Sequence, residues 1–377
     1  NNWSLTSDDG INMLNPGDTP HENIQFLLVL ACILKAVDRH ADLLRESAAC
    51  VGNDHRLGAD EAPPAIISVF LGDQLEDVID QLCSTGEATH SIQGSKLRTG
   101  VTTLPNFDTD ATDRNRTSPF AFTNNKFEFR MVGSSDSIAS PNIVLNTIVA
   151  ESFKEAADVL EVAEDFEEAV HDMIKKLFSS HRRIIFNGNG YSKEWVEEAK
   201  RRGLSNLPSM IDTIPALVSE SSIKLFESFE VFTRKELESR MEIEYEAYSK
   251  AINIEAKAMI DIAGKSIIPA VIRYTTRLAD SIIKLKTAMV DIEPYAQSSI
   301  LIDVNEHLKS AKLALENLIK LMDDAGEITE ADKHAGYMRK VIVPAMEELR
   351  KPIDELEMIV DKDLWPMPSY GDLLFEV

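Results

Sequence analysis

Three strict seven-residue apolar series in the C-terminal third leave this chain few options, because a seam repeated every 3.5 residues is satisfied only by long helices packed side by side. Val271, Thr275, Leu278, Ile282, Leu285, Met289 and Ile292 form the first. Val304, Leu308, Ala311, Leu315, Leu318 and Met322 form the second, and Met338, Ile342, Ala345, Leu349, Pro352, Leu356 and Ile359 the third. Pro294 and the turn from Asp324 to Thr329 separate them, which predicts an antiparallel helical hairpin or a three-helix bundle. Pro269, Pro344 and Pro352 fall in or near these patterns and predict kinks or breaks.

Ahead of this region the style changes. Residues 1–145 mix short extended pieces, glycine and proline turns and two helical patterns, over 20–49 and 64–83; from about 146 onward helical periodicity takes over. The fold class is therefore α+β, with domains expected at 1–145 and 146–377. Between Ser118 and Met131, Phe120, Phe122, Phe127 and Phe129 alternate as in strands. Lys126, Glu128 and Arg130 then share one face and the phenylalanines the other.

Charge narrows the function. With 39 basic against 63 acidic residues the net charge is −24, which argues against nucleic-acid and anionic-membrane partners. Basic clusters at His181-Arg182-Arg183 and Lys200-Arg201-Arg202 flank acidic helical stretches and read as solvated faces. Three cysteines, Cys32, Cys50 and Cys83, are odd in number, widely spaced among apolar neighbours and lack metal-ligand spacing, which suits buried thiols in a reducing cytoplasm better than a disulfide framework. The apolar run from Phe26 to Leu34 is too short to span a bilayer. The chain starts at Asn1 without a methionine, so its true N-terminus is expected upstream.

Against that acidic background two blocks interleave arginines with single acids: Asn53-Asp54-His55-Arg56 through Glu61 to Pro64, and Arg114-Asn115-Arg116, followed by Lys126 to Arg130. An arginine fork grips carboxylate or phosphate oxygens, and a glutamate among such forks can hold a divalent cation bridging phosphates. Either block alone reads as a structural ion pair; their coincidence suits phosphoryl transfer, where catalysis is mostly positioning and charge neutralisation. Other motifs read more plainly. Phe186-Asn187-Gly188-Asn189-Gly190 resembles a phosphate loop but lacks a full fingerprint, so a turn leading to an N-cap at Ser192 is preferred. Glu330 and His334 are four apart, and without a third ligand nearby an exposed ion pair at a helix start is the better reading. Two glycosylation-like triplets, Asn2-Trp3-Ser4 and Asn115-Arg116-Thr117, carry no weight in a cytosolic protein.

These residues, with the tail from Trp365 to Asp372, resemble the C-terminal portion of a type III glutamine synthetase over essentially the whole chain. The resemblance implies the C-terminal part of that family's catalytic domain, a curved antiparallel sheet with flanking helices, followed by a long-helix bundle. It also implies ATP-dependent ligation of ammonia to the side-chain carboxylate of L-glutamate through γ-glutamyl phosphate, with ATP and Mg2+ or Mn2+ bound. By the resemblance Glu128 is a metal ligand, Arg56 and Arg130 bind glutamate, and Glu61 is the flap glutamate that takes a proton from ammonium. Arg116 neutralises the transferring phosphoryl group, Lys126 contacts ATP, and Asn2 and Ser4 help bind the nucleotide, Asn2 standing where type I enzymes have histidine. No arginine occurs between Thr117 and Asn125, where type I enzymes carry a second one, and Arg56 to Glu61 is one residue shorter than in type I. The small N-terminal β domain and the remaining metal ligands are expected upstream. A homo-oligomer, a dodecamer of two hexameric rings with sites between subunits, is the implied assembly, so this chain alone is expected to be incomplete. Alternatives left open are ligation of glutamate to another amine and a non-catalytic relative in which the bundle serves assembly.

Overall fold

The computed structural model describes residues 1–59, 62–91 and 117–375, together with the backbone of 96–97 and 107–108. Contacts divide the chain into two compact units, Asn1–Met241 and Glu242–Val377. This break lies well beyond residue 145, where the sequence changes style, because the helices that follow that point pack into the first unit.

In chain order the first unit contains β1 (Asn2–Trp3), α1 (Ile24–Arg39), α2 (Ala41–Glu46), α3 (Val51–Arg56), β2 (Val69–Phe70) and α4 (Asp73–Thr85). A two-stranded ribbon, β3 (Lys96–Leu97) with β4 (Phe107–Asp108), precedes the hairpin β5 (Phe120–Phe122) and β6 (Phe127–Phe129). Helices α5 (Ala139–Leu160), α6 (Phe166–His181), α7 (Lys193–Arg201), α8 (Met210–Thr213) and α9 (Glu220–Ser228) complete it. Helix α1 is buried along most of its length and packs against α5 and α6, and Asn23 caps it by accepting from the Phe26 amide at 3.0 Å.

The four-stranded sheet runs β1-β6-β5-β2. Strand β6 is antiparallel to both neighbours, whereas β2 pairs with β5 in parallel, so the sheet is mixed rather than antiparallel throughout. A parallel neighbour needs a long crossover, and the connection that includes α4 supplies one. The helix expected over 64–83 is accordingly shorter at its front: Val69 and Phe70 are extended, and Gly72, at φ +83°, makes the turn into α4.

The second unit begins within α10 (Arg234–Ile262) and continues as α11 (Ile268–Ala288), α12 (Tyr295–Gly326), α13 (Ala331–Tyr337), α14 (Val343–Ile359) and α15 (Tyr370–Phe375). Helix α12 packs against both α11 and α14. The second and third series are well covered: Val304, Ala311, Leu315, Leu318, Ile342, Leu349 and Leu356 are all buried. The first is covered only at its start. Val271 is buried, Leu278, Ile282 and Leu285 are half-buried, and Met289 lies past the end of α11 and is 63% exposed. Pro269 and Pro344 do not break their helices: each follows a single π-helical turn, Ala263–Ile267 and Met338–Ile342. The shift to wider spacing of the backbone bonds falls where a proline cannot donate one.

Candidate active site

The hairpin β5–β6 is closed by Thr123 to Lys126. The Thr123 amide donates to the Lys126 carbonyl at 2.8 Å, and Asn124 takes the left-handed conformation, φ +63°, that asparagine tolerates. On the buried side Phe120, Phe127 and Phe129 are fully covered, with Phe120 and Phe127 stacked at 4.5 Å. The opposite side carries Glu128, half-buried, whose cross-strand partners are Asn2 on β1 and Ala121 on β5. Strand β1 is fastened from behind by helix α5: the Trp3 indole donates to Asn146 Oδ1 and the Asn1 amide to Asn142 Oδ1, both at 2.9 Å.

Arg130 follows β6. Its Nε and Nη2 donate to Glu128 Oε2 at 3.2 and 2.8 Å, so acid and arginine lie on the same side, as the alternation requires. Arg56, at the end of α3, reaches the same strand end. Its Nη1 donates to Asn53 Oδ1 at 3.0 Å and to the Met131 carbonyl at 2.9 Å, and its Nη2 to the Arg130 carbonyl at 2.9 Å. Helix α3 is moored by Asp54, whose Oδ1 accepts from the Met210 amide at 2.7 Å, and by Cys50, whose thiol donates to Asp136 at 3.1 Å. Burial pushes the Cys50 thiol up, away from thiolate chemistry.

Arg56 thus holds the main chain at Arg130 and Met131, just past the C-terminal end of β6, where the Arg130 side chain pairs with Glu128 and Asn2 stands in register beside Glu128. Lys126 sits two residues before Glu128 and Ser4, exposed, two after Asn2. Glu61 and Arg116 lie outside the described residues. Their flanks are placed: the Gly58 amide donates to the Pro63 carbonyl at 3.0 Å, drawing together the ends of the segment that carries Glu61. Thr117, next to Arg116, accepts the Gly190 amide on its Oγ1 at 2.7 Å. A side chain at Gly190 would stand 2.5 Å from the Thr117 carbonyl oxygen, so only glycine admits this approach.

The glycine-rich segment is structural. Asn187 Oδ1 accepts from the Leu71 and Gly72 amides at 3.0 and 3.1 Å, and its Nδ2 donates to Glu76 at 2.5 Å, tying the start of α4 from outside. Ser192 caps α7 by accepting from Trp195, and Trp195 stacks on Phe186 at 3.7 Å. Arg182, Arg183, Arg201 and Arg202 pair with Asp80, Asp38, Glu198 and Glu198 in turn. Glu330 forms an exposed ion pair with Lys333 at 2.6 Å at the start of α13.

Among the described residues no three His, Cys, Asp or Glu side chains gather as a metal cluster. A lone carboxylate still fits magnesium, which commonly takes one or two protein carboxylates and completes its shell with water and substrate phosphates. Nor is any described helix long and apolar enough to cross a membrane.

The family model for the glutamine synthetase C-terminal domain matches residues 169–286. Over its whole length the chain is 42% identical to the type-3 glutamine synthetase of Dictyostelium discoideum, covering 52% of that protein. It is 38% identical to a glutamine synthetase of Butyrivibrio fibrisolvens and 35% to one of Bacteroides fragilis strain YCH46, covering 54% and 53% of them. The chain belongs to the glutamine synthetase family. It spans about half the length of the curated relatives it matches. Within that family frame, sequence reasoning overlooked Asn53 and Asn187, because neutral amides carry no charge pattern and their roles depend on contacts across 78 and 116 positions.

Proposed function

We propose that the protein to which this chain belongs ligates ammonia to the side-chain carboxylate of L-glutamate at the expense of ATP, through γ-glutamyl phosphate. The observation that carries this reading is the Arg130–Glu128 pair at the end of β6, in register with Asn2, with Arg56 anchored on the main chain of Arg130. Such a group offers a fork for a carboxylate and an oxygen ligand for a cation at the same place.

In this reading Arg56 grips glutamate through the donors it does not give to the strand. Arg130 orients the Glu128 carboxylate from one oxygen and meets glutamate from the other side. Glu128 would hold magnesium or manganese, which would supply charge neutralisation at the phosphate oxygens. Lys126 contacts the nucleotide at the hairpin, Asn2 and Ser4 border it, and Arg116 balances charge on the phosphoryl group in transfer. Glu61 closes over the site and accepts a proton from ammonium, freeing the amine to displace phosphate from the acyl carbon. The protein works as a homo-oligomer with sites between subunits.

The test is single-turnover chemistry on the intact protein with ATP, glutamate and either ammonium or methylamine. Glutamine and ADP should appear in equal amounts with ammonium, and methylamine should react far more slowly. Glu61→Ala should slow glutamine formation more than formation of the acyl phosphate. Equal loss of both products would remove the ammonium role of Glu61, and faster turnover with methylamine would make the protein a ligase for another amine.

A further inference from the structure

Asn53 is 1% exposed and uses both ends of its amide. Its Nδ2 donates to the Ala48 carbonyl at 2.6 Å and to the Met131 carbonyl at 2.9 Å, while its Oδ1 accepts from Arg56 Nη1 at 3.0 Å. Arg56 Nη1 also donates to Met131, so amide, guanidinium and strand carbonyl close a three-membered ring of hydrogen bonds. A guanidinium has five N–H donors. Three are engaged here, two on Nη1 and one on Nη2, by Asn53, Met131 and Arg130. The Nε–H and one Nη2 hydrogen have no partner among the described residues, and two donors is what a carboxylate fork takes.

The arginine is exposed, so packing alone does not hold its head in one orientation. Its fixed partners do, and Asn53 is the one contributed by a side chain. The two carbonyls belong to consecutive residues just past β6; Asn53 adds a third point of attachment, which limits rotation about the remaining bonds. A free arginine would sample many rotamers and lose that freedom on gripping a ligand, whereas a held one has already lost it.

We infer that Asn53 is a positioning residue for substrate binding: it holds Arg56 with two donors turned to a carboxylate of the substrate. The inference rests on the reading above that Arg56 grips glutamate. It concerns ground-state binding of the α-carboxylate, which keeps its charge through the reaction while the side-chain carboxylate is consumed, so its signature is a change in KM rather than in kcat.

The experiment is a double-mutant cycle in the intact protein, with KM and kcat for glutamate and a thermal melt for each variant. Asn53→Leu, which keeps the branched outline and heavy-atom count while removing the hydrogen bonds, should raise KM for glutamate about tenfold, with kcat within about twofold of wild type. Arg56→Lys should also raise KM, and adding Asn53→Leu to it should raise KM no further, since the two act through one contact. Asn53→Ser, which keeps a hydroxyl acceptor, should recover part of the loss. An unchanged KM in folded Asn53→Leu, or full additivity with Arg56→Lys, would overturn the inference, as would failure of both Asn53 variants to fold, which would make the residue structural. If Arg56→Lys itself leaves KM for glutamate unchanged, the assignment of Arg56 to the substrate has failed, whatever Asn53 does.

Discussion

Arg56 donates to the main-chain carbonyl of Arg130 at 2.9 Å, while the Arg130 side chain turns to Glu128. The two arginines therefore depend on each other through backbone, not through side chain. Arg130→Ala should leave Arg56 in place and cost about 1 kcal/mol in a denaturant melt, the usual scale for a partly exposed ion pair. Activity of the intact protein should fall by about 100-fold or more, because Glu128 loses the group that orients it. A variant that unfolds would show that the pair holds the strand end together.

Gly190 tests how the segment next to Arg116 is held. Gly190→Ala places a methyl group 2.5 Å from the Thr117 carbonyl oxygen, where backbone faces backbone and neither side gives way cheaply. Overpacking of this kind costs about 1–3 kcal/mol. The loss should be read in a urea melt, with Gly188→Ala as a comparison, since there the neighbour is the Phe186 ring. Equal stability of Gly190→Ala and wild type would mean that the loop shifts freely.

The helical unit gives a graded prediction. Leu315 is 4% exposed, whereas Leu285 is only half-buried. Leu315→Glu should cost about 3–5 kcal/mol through an unpaired buried charge, and Leu285→Glu about 1 kcal/mol. Circular-dichroism melts compare them directly; equal losses would show that both seams are covered alike.

His40 supplies a pH dependence. Burial lowers its pKa below the usual 6.5, more strongly than the 2.8 Å contact with Glu151 raises it. The unfolded chain therefore binds a proton at higher pH than the folded one does. Stability from this residue is present above about pH 6.5 and is lost as pH falls from there through the lowered folded value. The drop in melting temperature between pH 7.5 and 5.5 should be smaller in His40→Gln than in wild type. An identical drop would assign the acid sensitivity to other groups.

The sequence reading succeeded where a pattern is local and failed where partners are distant. The alternation from Phe120 to Arg130 placed Glu128 and Arg130 on one face and the phenylalanines on the other, since a strand has a period of two. Seven-residue periodicity located α12 and α14 for the same reason. It overran α11, because Met289 and Ile292 continue the spacing after the helix has ended. The parallel pairing of β2 was not legible either: strand direction depends on the route of the crossover, and Ile66 to Phe70 reads equally as helix or strand. Arg56 was visible by its charge, but not its grip on the Arg130 and Met131 carbonyls, nor the part of Asn53.

Glu128 is the carboxylate on which the account turns, and the most direct test is the ADP and glutamine formed together in a single turnover by intact wild-type protein and by Glu128→Ala. The wild type should give equal amounts of both with ATP, glutamate, ammonium and magnesium. Glu128→Ala should keep its fold and lose both products together by about 100-fold or more, because phosphoryl transfer itself is disabled. A folded Glu128→Ala protein that still forms ADP and glutamine at the wild-type rate would contradict the account.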